Sequence, residues 1–146
     1  MKKYAITLIL SILTGMFMSK IIFDQYSSKM VSKEQYKAYF FEVGIFDNIK
    51  NLNDTMKKYN SYIYVKKDNK YYAYIGITID NYEKIQSYFD KMGYVTKVRE
   101  INVSDKFKSR LKEYDLKLKN TDNTLDIKNI MSDILKCFEE VSNDKD

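Results

Sequence analysis

Few side chains of the types that catalysis requires occur in this sequence. It has no histidine, the commonest general base and metal ligand, so its single cysteine, Cys137, lacks the usual activating partner. Its carboxylates lie mostly next to lysines in helix-patterned stretches, as on ordinary solvated helix faces. Its four glycines do not have the spacing of a phosphate-binding loop. We therefore expect no enzyme, no cofactor and no metal site, and interpret the chain as a binding module.

The residues best suited to binding are aromatic and lie in strand-patterned stretches. Side chains alternate between the two faces of a strand, which predicts one inward set: Phe41, Val43, Ile63, Val65, Ala73 and Ile75. The opposite register places five aromatic residues and one acid together on an open face: Phe40, Glu42, Tyr62, Tyr64, Tyr72 and Tyr74. Exposed aromatic patches normally mark interaction sites, and flat rings can stack on sugars, bases or other side chains. Burial beneath the C-terminal helices, or strand propensity alone, are the alternatives.

A supersecondary unit that occurs twice between residues 36 and 103 positions these side chains. Each copy is an alternating strand that ends near a glycine, Gly44 or Gly76, and runs into a helix-patterned segment. We expect strands at 36–46, 61–67, 70–79 and 94–103, and helices at about 48–59 and 82–92. The doubled pattern predicts an α+β domain of ferredoxin-like βαββαβ type, with a four-stranded antiparallel sheet and two helices on one face.

Turn and cap residues separate these elements. Asp47-Asn48 and Asp80-Asn81 are good N-cap pairs for the two helices, and Gly93 is expected to end the second helix. Asp68-Asn69 supplies a tight turn between the second and third strands.

Residues 104–146 read as a helical tail. Ser104 begins one helix, and a second follows the polar break at 120–123. Apolar residues recur at helical spacing in both: Phe107, Leu111, Tyr114 and Leu118, then Leu125, Ile130, Ile134, Phe138 and Val141. We expect a hairpin that packs on the domain or on another protein of the cell envelope. Cys137 is expected to be buried there as a small apolar group, with an intermolecular disulfide as the alternative.

Residues 1–35 read as an anchor and a stalk. Two lysines precede the apolar run 5–23, whose length approaches the thickness of the hydrocarbon core, and Lys20 can extend toward the interface. An uncleaved signal anchor in the lipid bilayer is the favoured interpretation, because no clear small-residue cleavage pattern follows; a cleaved signal peptide with its apolar region at 5–18 is the alternative. The basic N-terminus should stay cytoplasmic, which makes the rest of this single-pass chain extracytoplasmic.

The net charge of +5 is concentrated near that anchor. Residues 1–33 contain five lysines and one aspartate, which favours anionic lipid headgroups. The remaining charges are nearly balanced, so we expect no nucleic-acid partner. An RNA-binding sheet of similar topology is a minor alternative.

Three segments resemble the SPOR (sporulation-related repeat) family. They are Phe41-Glu42-Val43-Gly44-Ile45-Phe46, Tyr71-Tyr72-Ala73-Tyr74-Ile75-Gly76 and Gly93-Tyr94, which correspond to the family patterns V-Q-V-G-x-F, Y-R-V-x-V-G and G-Y. The resemblance covers residues 39–103. Glu42 replaces the usual glutamine, Tyr72 the usual arginine, and Ile77 the frequent proline.

This resemblance implies a function and a set of contact positions. The family binds peptidoglycan glycan strands that lack stem peptides, often as the outer part of single-pass membrane proteins. The resemblance thus implies a cell-wall protein of division or sporulation septa. It implies glycan contacts at the positions Glu42, Phe46, Asp47, Tyr72 and Tyr74. The main alternative is an adaptor that keeps the fold, has lost the glycan and works within a membrane-bound envelope complex.

Overall fold

The structure, a computed structural model, describes residues 36–143 as four strands and four helices. The strands are β1 (Tyr36–Phe46), β2 (Ile63–Lys67), β3 (Lys70–Thr78) and β4 (Lys97–Val103). The helices are α1 (Ile49–Met56), α2 (Tyr82–Lys91), α3 (Asp105–Lys119) and α4 (Thr124–Asn143). The predicted anchor and stalk, residues 1–35, lie outside the described residues. Within 36–143, no helix combines the length and apolar character that crossing a bilayer requires.

The strands form one antiparallel sheet in the order β2-β3-β1-β4. This confirms the α+β class and the four-stranded antiparallel sheet. The two tail helices are also present, separated at residues 120–123 as expected. Element ends differ slightly from the prediction: α1 ends at Met56, and β4 begins only at Lys97.

Local signals in the sequence account for most of these boundaries. Asp68 and Asn69 both have positive φ, 51° and 59°, as a two-residue hairpin turn requires, and these residue types tolerate that conformation. The Asn48 Oδ1 accepts the Asn51 N–H at 2.9 Å and so caps α1. Asn81 occupies the N-cap position of α2, but its side chain makes no cap hydrogen bond there.

The simple alternation expected for β1 fails. Phe40, Phe41 and Glu42 are consecutive and all buried. The pairing of β1 with β3 shifts between Phe41 and Glu42, and again between Glu42 and Gly44. Such β-bulges insert unpaired residues that a period of two cannot register.

Helices cover both faces of the sheet. The Phe41 ring lies 5.3 Å from that of Phe89 in α2, whereas the neighbouring Phe40 ring lies 5.4 Å from that of Phe138 in α4. Because adjacent strand residues point to opposite faces, the part of α4 around Phe138 lies on the side of the sheet opposite to α2. Near Gly76 the two helices meet, since a Cβ there would contact both Phe89 and Met131. The expectation of an open face therefore holds for only part of the sheet.

Both tail helices share the core of the sheet. The side chains of Phe107, Leu111, Leu118 and Ile134 are fully buried in one cluster with those of β1 and β3. Cys137 is buried as predicted. Burial of these side chains stabilises the docked tail by roughly 1.5–3 kcal/mol each.

A buried carboxylate joins the tail to the end of β3. Asp115 of α3 accepts the Thr78 hydroxyl at 2.6 Å and the backbone N–H groups of Ile79 and Asp80 at 2.7 and 2.8 Å. The Asn81 side chain, free of a capping role, donates to the Asp115 carbonyl at 2.8 Å. The start of α2 and the middle of α3 are therefore held together by charge-assisted hydrogen bonds.

We predict that Asp115→Asn destabilises the protein by about 1–3 kcal/mol. An amide retains only one acceptor oxygen, so at least one of the three donors at the end of β3 loses its partner. Urea unfolding of the two proteins measures the difference. Glu113→Gln, on the exposed side of the same helix, is the matched control and should stay within about 0.5 kcal/mol. Equal stability of Asp115→Asn and the control would show that the carboxylate is not needed.

Gly76 should also tolerate no side chain. A Cβ there would lie 2.8 Å from the Phe89 ring and 3.2 Å from the Met131 sulfur, and both side chains are buried. Gly76→Ala should therefore cost about 1–3 kcal/mol in urea unfolding through overpacking. Phe89→Leu should restore space, so the double variant should lose less than the sum of the two single losses. Strict additivity would contradict contact between residues 76 and 89.

Candidate ligand-binding surface

One end of the predicted binding face lies under the tail. Phe40 contacts Phe138, whose ring lies 5.1 Å from that of Phe107 in α3. Tyr74 packs edge-on against Phe40 at 5.3 Å and is 3% exposed. The alternative of burial beneath the tail therefore describes Phe40, and Tyr74 is buried against Phe40.

Strand β2 has the opposite register to the one expected. Ile63 lies directly opposite Tyr74, and Val65 opposite Tyr72, so these pairs share a face. Tyr64 lies opposite Ala73 on the other face. The assignment of Ile63 and Val65 to the face of Ala73, and of Tyr64 to the face of Tyr72, is therefore wrong by one residue. Reversal of every side chain is the normal consequence of such a slip.

The remaining predicted site residues are also dispersed. Tyr62 precedes β2 and donates a hydrogen bond to the Asn53 side chain at 3.2 Å. Phe46 lies opposite Tyr71, next in the ladder to the pair Ile45 and Tyr72, and so faces away from Tyr72. Asp47 is exposed in the loop after β1. Of the eight predicted residues, four share the face of Tyr72, namely Phe40, Glu42, Tyr74 and Tyr72 itself, whereas Phe46 and Tyr64 lie on the other face.

Glu42 is hydrogen-bonded to Arg99, a partner that the sequence pattern does not predict. Its carboxylate is 5% exposed and accepts hydrogen bonds from the Arg99 Nε and Nη2 groups, the second at 3.2 Å. This hydrogen-bonded pair raises the pKa of the Arg99 guanidinium. The guanidinium carbon also lies 5.9 Å from the centre of the Tyr72 ring, within range of a cation–π contact. Arg99 lies near Glu42 and Tyr72 because β4 pairs with β1, and no local sequence pattern specifies that pairing.

The part of this face that α4 does not cover forms a small platform. A single rung of the ladder carries Val65, Tyr72 and Ile45 across three strands. Val65 and Ile45 are 37% and 44% exposed, which is high for aliphatic side chains, and Arg99 lies beside the rung. We call these four residues the uncovered sheet end. A flat apolar surface with an adjoining guanidinium can stack a ring and donate hydrogen bonds to it.

The environment of the buried Tyr74 side chain shifts the pKa of its hydroxyl. Burial, reinforced by the negative charge of Glu42, raises its pKa from 10 to about 12. Loss of that proton would place a phenolate beside a carboxylate in the core. Tyr74 is therefore a neutral structural group beneath the platform.

Among residues 36–143, no group of three or more acids or cysteines is placed to hold a metal ion. The chemistry open to these side chains is stacking, hydrogen bonding and charge pairing.

The raised pKa of Tyr74 predicts a loss of stability at high pH. The folded state holds this proton more tightly than the unfolded state, so the contribution is complete below pH 10 and is lost as pH rises towards about 12. Two pH units correspond to a loss of up to about 3 kcal/mol. Urea unfolding across this pH range should show a smaller decline for Tyr74→Phe than for the unsubstituted protein. Tyr64→Phe, at an exposed tyrosine, should decline like the unsubstituted protein; parallel curves for all three proteins would refute the prediction.

The chain matches no protein-family model, no curated protein and no solved structure. The resemblance to SPOR domains therefore stays a prediction. A proposal of function therefore rests on the geometry and charge of the uncovered sheet end.

Proposed function

We propose that residues 36–143 form a non-catalytic binding module on the outer side of a single-pass membrane protein, and that its ligand is the glycan strand of peptidoglycan. The observation that carries this proposal is the platform of Ile45, Val65 and Tyr72 beside Arg99. The apolar run 5–23 supports the membrane anchor, and the SPOR-like strand motifs support the choice of glycan.

Binding at this platform is a matter of stacking and hydrogen bonds. The flat apolar side of a sugar ring packs on Tyr72, with the exposed aliphatic side chains of Ile45 and Val65 on either side. The Glu42 carboxylate accepts hydrogen bonds from the Nε and Nη2 groups of Arg99. The Nη1 group has no acceptor within residues 36–143, so it can donate hydrogen bonds to sugar hydroxyls. Glu42 itself acts by positioning the guanidinium.

Arg99 supplies a guanidinium near position 72, where this chain has a tyrosine instead of the arginine of the SPOR pattern. The family pattern has an arginine on the third strand where this chain has Tyr72. Here β4 supplies the guanidinium to the same face of the sheet, held over the Tyr72 ring. A cation beside the platform is thereby kept, although another strand supplies it. Recruitment to septal glycan in division or sporulation is the expected consequence.

A second candidate function is a protein-interaction adaptor in an envelope complex. It is favoured by α4, whose Phe138 covers Phe40 and so shortens the face that a long glycan could contact. In that case the uncovered sheet end holds a partner's side chains rather than sugar rings.

Co-sedimentation with purified peptidoglycan sacculi tests the first proposal. The full chain, solubilised in detergent, should sediment with the sacculi, and better with amidase-treated sacculi because their glycan is freed of stem peptides. Tyr72→Ala should weaken binding about tenfold, or about 1.4 kcal/mol, through loss of stacking. Tyr64→Ala, an exposed tyrosine on the opposite face, should bind normally. A full chain that stays in the supernatant with both kinds of sacculi would leave the adaptor as the better account.

A further inference from the structure

Three lysines frame the uncovered sheet end. Lys67 and Lys70 lie opposite each other one same-face rung beyond Val65 and Tyr72, so they project from that face. Lys97 lies opposite Glu42 on β4, at the other side of the platform. All three are exposed. We call Lys67, Lys70 and Lys97 the frame.

Within residues 36–143, none of these three lysines forms an ion pair. The ion pairs formed within residues 36–143 involve other lysines, and Glu42, the carboxylate nearest to Lys97 in the ladder, is taken by Arg99. With the Glu42–Arg99 pair neutral, the frame carries three positive charges around an apolar centre, with one acid, Asp68, in the turn between Lys67 and Lys70. A ligand that fits it has negative charges outside an apolar or ring-shaped surface.

The pair of Lys67 and Lys70 argues further for an anion. Like charges directly opposite in an antiparallel ladder destabilise it, and here they close the two-residue turn of β2 and β3. A carboxylate bound between the two ammonium groups would relieve that repulsion. The chain thus places two cations opposite each other at the tip of the sheet, joined by the turn that contains Asp68.

The distances favour an extended ligand over a small ion. Lys97 lies two strands from Lys70 and four residues further along the sheet, so their Cα atoms are separated by roughly 15 Å. One small anion cannot touch both ends of the frame, whereas a chain with acidic groups at intervals can.

We propose that the uncovered sheet end binds a carboxylate-bearing glycan, with sugar rings on Tyr72 and carboxylates on Lys67, Lys70 and Lys97. This inference rests on the proposed function in taking a glycan as the ligand, and it adds the acidic groups as the recognised feature. Binding should weaken as salt is raised, because the charges are exposed and readily screened.

Titration of the full chain with three defined polymers tests the inference: oligogalacturonate, a neutral chito-oligosaccharide and polyphosphate. The triple variant Lys67→Gln, Lys70→Gln, Lys97→Gln removes the frame. Lys50→Gln, Lys58→Gln, Lys136→Gln removes the same charge from exposed helical and adjoining positions and is the matched control. We expect oligogalacturonate to bind most tightly, and the frame variant to lose about tenfold in affinity while the control loses little.

Each result separates this inference from the proposed function. If the frame variant still sediments with sacculi as the unsubstituted chain does, or if the control triple loses as much affinity, recognition of carboxylates is wrong while glycan binding can stand. Tighter binding of polyphosphate than of oligogalacturonate overturns the inference in favour of a phosphate-bearing polymer. Oligogalacturonate bound through the frame, with no binding to sacculi, supports the inference and removes peptidoglycan as the ligand. Failure to bind any of the three polymers overturns the inference.

Discussion

The contact on which the architecture depends is the buried carboxylate of Asp115. It lies on α3 but satisfies donors at the end of β3 and in the segment that begins α2. A buried carboxylate is stable only when its oxygens are hydrogen-bonded, so α3 can dock in only one register along the sheet. Once α3 is placed, the short connection at 120–123 directs α4 back across β1 and β3, where Phe138 reaches Phe40 and Met131 reaches Gly76. The polar contact at Asp115 and the buried apolar side chains of α3 and α4 together determine which part of the sheet is covered.

This coverage explains which sequence predictions succeeded. The strands, the Asp68-Asn69 turn, the Asn48 cap and both tail helices follow from local signals, and all are present in the structure. The faces of the sheet did not follow, because α2 and α4 bury opposite sides of β1, so that Phe40 and Phe41 are both apolar and both buried. Alternation identifies a face only when one side is exposed to water. The bulges near Glu42 and Gly44 then break the period of two where the site begins.

The site was only partly predictable for a related reason. Tyr72 and Glu42 were found because they are a tyrosine and an acid within a strand pattern. Arg99 was missed because its role depends on β4 lying beside β1, a long-range pairing that no local pattern specifies. The ion pair it forms changes the character of the face. Glu42 alone would repel an anionic ligand, whereas the pair is neutral, and removal of either partner would leave the other charge uncompensated.

The lysines of the frame can also protect the exposed apolar platform from pairing with another chain. The strands β2 and β4 are the two edges of the sheet, and lysines on edge strands discourage pairing with another chain. Lys66 projects to the opposite face and can serve such a purpose alone, because it needs only to be charged and exposed. Lys67 and Lys97 differ because they lie on different edges and yet project from the same face as Tyr72. Edge protection does not require that convergence, whereas attraction of an acidic ligand to the platform does. The same charges can serve both purposes, since like charges around the exposed row of Ile45, Tyr72 and Val65 also oppose its self-association.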